Sequence, residues 1–359
     1  MPRTTRTAPR ARVRSRTRRV RAWGRAGPTR REVTTMRELD RRSFLSAVGG
    51  VAGAGLLGRT LLVRGEVTEV RSTRLMMGTL VTVTVVTRDP ERAELGVDRA
   101  FAEMSRLESV FTRHDSDGEV ARLNAAGALA DPSPELVGLL RRCRRIYDRT
   151  DGAFDPTVLP VLTAYESGRD HPRDARERVG AATFDAITVD DSELRAPTPI
   201  TLDGVAKGAV VDAGVAALRD WVDAGLVEAG GDVRAFGGDD GRWRVGVENP
   251  RGDSLAEILR LGSGGVATSG DYRIYYDDDR TNHHIVTPDT GRSPTEDTSV
   301  TVVAPDAETA DAYSTAAFVM DDDRASAFVG ARDDLSALFL TRDGDRRHAD
   351  GWEALRVEK

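Results

Sequence analysis

The chain has 359 residues, 31% of them charged and 39% hydrophobic, with a single cysteine and 58 Asp and Glu against 52 Lys and Arg. The charged share excludes an integral multi-span membrane protein, and one cysteine, Cys143, excludes an internal disulfide framework and a cysteine-rich zinc site. Residues 1–42 hold 15 Arg and 3 acids, net +12, so the overall −6 leaves −18 on residues 43–359 and argues against nucleic-acid binding by that body.

Only Lys207 and the terminal Lys359 are lysines; every other basic residue is arginine. Abundant Asp with almost no Lys points to a salt-saturated milieu, where dense carboxylates keep a surface hydrated and their repulsion is screened.

Residues 1–35, rich in Arg, Thr and Pro, read as an untranslated stretch ahead of Met36 or as a disordered basic arm. From Met36, Arg41-Arg42-Ser43-Phe44-Leu45 precedes the weakly apolar run Ala47–Leu57, the pattern of a twin-arginine export signal over residues 36–65, cleaved or kept as an anchor. The glycines of Gly53-Ala54-Gly55-Leu56-Leu57-Gly58 imitate a dinucleotide-binding fingerprint. A twin arginine stands before them instead of a buried strand, so that reading is rejected.

The body follows over residues 70–345. Valine alternates with threonine from Thr79 to Val86, which predicts a half-buried strand. Val97, Phe101, Met104, Leu107 and Phe111 form a helical stripe, and Ser133-Pro134 opens a second helix that turns Leu136, Leu140, Cys143 and Tyr147 inward. Polar, proline-dotted residues 165–200 predict a surface excursion. A strand ending at Leu202, a helix over 209–223, strands over 243–247, 272–276, 283–286 and 299–303, and a last amphipathic helix over 308–320 complete the pattern. This is an α+β fold with mixed, largely antiparallel sheets flanked by helices.

Lys207 carries the sharpest chemical signal. A lone internal lysine in Asp203-Gly204-Val205-Ala206-Lys207-Gly208 marks a place where a guanidinium does not serve, and a compact ammonium suits a phosphate oxygen or a tight carboxylate. Asp311 and Thr315 stand four apart on a predicted helix, stacking two hard oxygens on one face in the manner of a Mg²⁺ site. His283 and His284, adjacent on a predicted strand, point to opposite faces and cannot chelate one metal; at most one faces a site. Two glycine-rich and hydroxyl-rich segments, Glu228–Val233 with Gly230-Gly231 and Gly264–Tyr272 with Thr268-Ser269, could wrap a phosphate or a flat ring, or be bulges.

In this order the segments resemble the FAD:protein FMN transferase family, the ApbE-type flavin transferases. The resemblance covers Met77-Gly78-Thr79, Glu108–Phe111 with Leu123-Asn124, Gly152–Thr157, Leu202–Asp212, Ala229–Asp232, Thr268–Tyr272, His284–Gly291 and Asp311–Thr315, across about residues 70–325. Two positions depart from the family's usual pattern: Thr287 where an aspartate precedes the proline, and Glu228 where an asparagine is usual.

The resemblance implies a T-fold-like enzyme that holds FAD as substrate and Mg²⁺, attaches the FMN half through a phosphoester to Thr or Ser of an acceptor protein, and releases AMP. By it, the carbonyl of Ala206 with Asp311 and Thr315 would ligate Mg²⁺. Lys207 would neighbour the phosphates, His284 would assist proton transfer, and Met77, Asp155, Gly230, Gly231, Thr268 and Ser269 would line the nucleotide pocket. No acceptor-like segment occurs in the chain itself, so the partner is expected to be another protein, an exported or membrane-attached electron carrier. An FAD pyrophosphatase and a non-enzymatic flavin carrier are the competing readings.

Overall fold

The structure, a computed structural model, describes residues 58–64, 67–167, 183–238, 241–252, 254–278, 280–349 and 351–357. The basic arm, the twin arginine and the apolar run of the expected leader lie outside them. Gly58–Arg64, the end of that span, forms strand β1 and pairs antiparallel with β2 (Val67–Met76). No helix among the described residues is long and apolar enough to cross a membrane.

The Val/Thr alternation folds as β3 (Thr79–Thr87), which buries Val81, Val83 and Val85 completely. Helix α1 (Pro90–Phe111) starts at an Asp89 side-chain cap and buries the predicted stripe. There follow α2 (Glu119–Ala126), β4 (Ala128–Ala130), α3 (Pro134–Arg149) and α4 (Leu159–Glu166). Cys143 is fully buried in α3, and burial raises its thiol well above the ordinary value, so it is a core residue. Short strands β5 (Thr188–Val189) and β6 (Glu193–Arg195) join β4 in a small sheet. The rest of the chain runs α5 (Ala206–Leu218), β7 (Ala224–Ala229), β8 (Asp232–Phe236), β9 (Trp243–Glu248), β10 (Leu255–Leu261), β11 (Gly264–Gly270), β12 (Asp297–Ala304), α6 (Ala307–Val319), α7 (Asp322–Gly330), β13 (Ser336–Thr341), β14 (Arg346–His348) and α8 (Trp352–Leu355).

Nine strands form the main sheet in the order β1-β2-β3-β7-β8-β11-β12-β13-β14, with antiparallel pairing throughout. One face packs Val83, Val227, Ala267, Val300 and Val302 against α1, α5 and α6. The other face packs Val266, Val303, Leu338 and Leu340 beneath the β9–β10 hairpin and α8.

Several predicted elements fold differently. Residues 272–276 and 283–286 are not strands; a single Tyr275–His283 bridge is all the pairing they make. The Asp277 carboxylate takes the N–H groups of Thr281 (2.9 Å) and Asn282 (3.1 Å), and His283 N–H goes to Ser293 Oγ (2.9 Å), so side chains satisfy a backbone that a ladder was expected to hold. No strand ends at Leu202, and α5 starts and ends earlier than expected. Helix α6 is buried nearly all round rather than amphipathic, because α5, β11 and β12 enclose it, and α7 and α8 follow it.

Candidate functional site

Helix α5 begins after Val205, whose side chain cannot cap it. Another helix supplies the acceptor: Gly208 N–H donates to Asp311 Oδ2 at 3.0 Å. In return Asp212 on α5 accepts from Ala307 N–H (3.0 Å) and Glu308 N–H (2.8 Å) at the start of α6. Burial raises the Asp212 carboxyl to about 6, against those two hydrogen bonds. The helices therefore cap one another, and a Cβ on Gly208 would overlap the Ala307 carbonyl, so they meet backbone to backbone.

This contact places Lys207 near Asp311. The Lys207 side chain is 28% exposed, and its ammonium pairs with Asp232, which is 1% exposed. Burial acts to lower the Lys207 ammonium, but Asp232 and Asp311 outweigh it and hold it above the ordinary value. Burial and the adjacent Asp311 charge push the Asp232 carboxyl well up, with Lys207 opposing. Asp232 and Asp311 lie close enough for their charges to repel, and a cation beside them relieves that repulsion.

Thr315, one turn after Asp311, has its Oγ1 3.1 Å from Ser269 Oγ, and it lies against Gly204, two residues before Ala206. The predicted trio of Ala206, Asp311 and Thr315 is thus brought together around the start of α5. Crowded carboxylates beside a hydroxyl are a donor set that fits Mg²⁺, which takes one or two carboxylates and leaves the rest of its octahedron to water and phosphate. Among the described residues no group of three or more His, Cys, Asp or Glu gathers into a metal cage.

The two histidines separate by their surroundings rather than by strand alternation. His283 is fully buried: Nε2 lies 3.1 Å from the Pro294 carbonyl, Nδ1 accepts from Ile285 N–H (3.3 Å), and the ring meets Phe318 edge-on. Its hydrogen-bonding capacity is used up, so it is a structural residue. His284 is partly exposed, and its buried Nδ1 has no partner. Burial, then the neighbouring His283, lowers it to about 4, while Asp203 pulls the other way and Arg273 adds to the lowering. Its ring is neutral and an acceptor at ordinary pH.

The remaining predicted positions divide. Met77 and Gly78 form a two-residue hairpin turn at φ 50° and 69°, and Met77 N–H donates to Glu108 Oε1 (2.6 Å). Gly230 and Gly231 form the matching turn between β7 and β8 at φ 57° and 107°; a Cβ on Gly230 would lie 2.7 Å from Thr79 Oγ1, so the two turns adjoin. Ser269 faces Ser314 and Thr315 on α6. Thr268 does not join it, because alternation along β11 turns its side chain to the opposite face, where its Oγ1 lies 2.9 Å from Thr301 Oγ1. Asp155 caps its own turn, accepting from Thr157 N–H (2.8 Å) and Oγ1–H (2.7 Å), with its carboxyl raised by burial.

Of the departures, Glu228 accepts from Gly231 N–H (3.0 Å) and is raised by burial, and Thr287 closes the 287–292 turn through its backbone. Asp232 and Arg273 were not singled out from the sequence as site residues. An aspartate directly after two glycines was the available signal for the first, and nothing local marks the second.

The sequence profile of the ApbE family matches residues 77–339. The chain belongs to the ApbE family. Among curated ApbE relatives, the FAD:protein FMN transferase of Vibrio cholerae is 29% identical over 283 residues, covering 73% of this chain and 83% of that protein. That of Haemophilus influenzae is also 29% identical over 283 residues, covering 72% and 80%. Among solved structures, the ApbE protein of Thermotoga maritima superposes with a TM-score of 0.73 at 28% identity, covering 84% of this chain and 100% of that one. The flavin transferase ApbE of Vibrio cholerae gives 0.67 at 25%, covering 80% and 99%.

Proposed function

We propose that this chain is an FAD:protein FMN transferase: it cleaves the pyrophosphate of FAD, joins FMN to a Thr or Ser hydroxyl of an acceptor protein as a phosphoester, and releases AMP. The observation that carries the reading is the meeting of Lys207, Asp232 and Asp311 at the start of α5, in a chain whose curated relatives bear that activity in their names.

The Ala206 carbonyl, Asp311 and Thr315, with Asp232 close by, are the groups that would hold Mg²⁺. The cation, when bound, neutralises charge on the anhydride and on the leaving phosphate. The chain's own groups do the rest. Lys207 keeps the two carboxylates side by side despite their repulsion, which prepares the site before any ligand arrives. The His284 ring, held neutral by burial, would take the proton of the acceptor hydroxyl as the new P–O bond forms; the bond to the AMP phosphate breaks and AMP leaves with the electron pair.

The twin-arginine pattern supports export of the folded protein, with an exported or membrane-attached electron carrier as acceptor, and the lysine-poor acidic body supports work at molar salt. The deciding experiment incubates the purified chain with FAD, Mg²⁺ and a Thr-bearing acceptor protein at high salt. AMP and protein-bound flavin are expected in equal amounts. AMP with free FMN and no labelled acceptor would identify a pyrophosphatase instead, and FAD binding without AMP a carrier.

A further inference from the structure

Resting on that reading, we propose that Arg273, rather than Lys207, is the side chain that grips the phosphates of the dinucleotide, while Lys207 acts as the internal counterion of Asp232 and Asp311. The charges around Lys207 motivate the reassignment. Its ammonium is already paired with Asp232, and Asp311 stands beside that pair. One cation against two carboxylates leaves the lining negative, and Glu228, close enough to feel the Lys207 charge, adds to it. Until Mg²⁺ is seated such a lining repels a pyrophosphate, and a fixed side-chain cation facing it would hold the phosphates without the metal.

Arg273 is placed to be that cation. It is exposed, and its Nη2 hangs over the β7–β8 turn, 3.7 Å from where a Cβ on Gly231 would be. Its guanidinium carbon lies 5.7 Å from the centre of the Tyr272 ring. Its charge reaches Lys207, Glu228 and His284 alike, so the guanidinium belongs to the same electrostatic neighbourhood.

The nearby ion pairs are Lys207 with Asp232 and Arg251 and Arg342 with Asp271; among the described residues no carboxylate comes within ion-pair distance of Arg273. Its backbone is nonetheless fixed. Two residues earlier, Asp271 is completely buried, held by Arg251 (2.9 Å) and Arg342 (2.8 Å), with its N–H on the Thr298 carbonyl (3.0 Å). An anchored guanidinium that meets the Tyr272 side chain but no carboxylate keeps a planar fork suited to two phosphate oxygens at once. The lone lysine then has a different cause: the slot between Asp232 and Asp311 admits a compact ammonium and not that fork.

Binding separates this from a general defect. Flavin fluorescence quenching with the full chain, in the absence of Mg²⁺, gives the affinity of FAD and of riboflavin, which has no phosphate. Arg273→Gln should weaken FAD at least tenfold and leave riboflavin unchanged, and Arg273→Lys should recover part of the loss. Equal weakening of both ligands, or unchanged FAD binding in Arg273→Gln, would overturn the assignment while leaving the transferase reading intact. A wild-type chain that binds no FAD either without or with Mg²⁺ would overturn both.

Discussion

Two buried carboxylate centres on opposite sides of the main sheet differ in how completely they are satisfied. Glu257 on β10 has both oxygens occupied: Oε2 accepts from Trp352 Nε1–H (2.7 Å) and is ion-paired with Arg356 Nε (3.2 Å), and Oε1 lies 2.9 Å from His348 Nε2. Asp232 and Asp311, on the helix side, feel each other's charge and share one lysine, which is paired with Asp232. A saturated carboxylate fastens α8 and β14 to the β9–β10 hairpin. An undersupplied pair keeps an unmet demand for positive charge, which is what a catalytic site for phosphates and a divalent ion requires.

The sharpest way to break this contrast is to remove one member of each centre. Asp311→Ala should lower AMP release by two orders of magnitude or more in a chain that stays folded, since preorganised charge is often the largest catalytic contribution; a loss below tenfold would place the metal elsewhere. Glu257→Ala should instead cost about 3 kcal/mol of stability, the scale for breaking a buried charged pair. It would be read from the denaturant midpoint, with turnover per folded molecule unchanged.

A subtler probe is pH. His284 sits at about 4 when folded against an ordinary 6.5, so the folded chain binds fewer protons between those values. Its contribution to stability is complete above 6.5 and is lost as pH falls through about 4, and the acid limb of the rate profile should lie near 4. His284→Gln should flatten the stability slope in that window, whereas a limb near 6.5 would point to another base. The smallest effect is expected from Asp212→Ala, which leaves the first turn of α6 without its cross-helix acceptor and should cost about 1–2 kcal/mol, the scale of a lost cap.

Much of the fold could be read from the residues because its signals are local. The α1 stripe, the Val/Thr strand, the Ser133-Pro134 start and the burial of Cys143 each follow from spacing that one element imposes on itself. The segments around Tyr272 and His283 look like strands for the same reason, yet Asp277 and Ser293 settle their backbone through side chains far from any ladder. Within the site, the Asp311/Thr315 spacing and the lone lysine were legible, but the partner of that lysine was not. Asp232 reaches Lys207 only because the β7–β8 turn and the start of α5 meet in space, and alternation along β11 turns the Thr268 side chain to the face opposite Ser269.

Where α5 crosses α6 at Gly208, peptide rests on peptide. The separation of the two backbones that carry Lys207 and Asp311 is consequently gauged by main chain rather than by a packed side chain. Sequence drift can remodel the surrounding core freely, but position 208 has no neutral replacement: even alanine would lever the two helices apart and detune the site in one step.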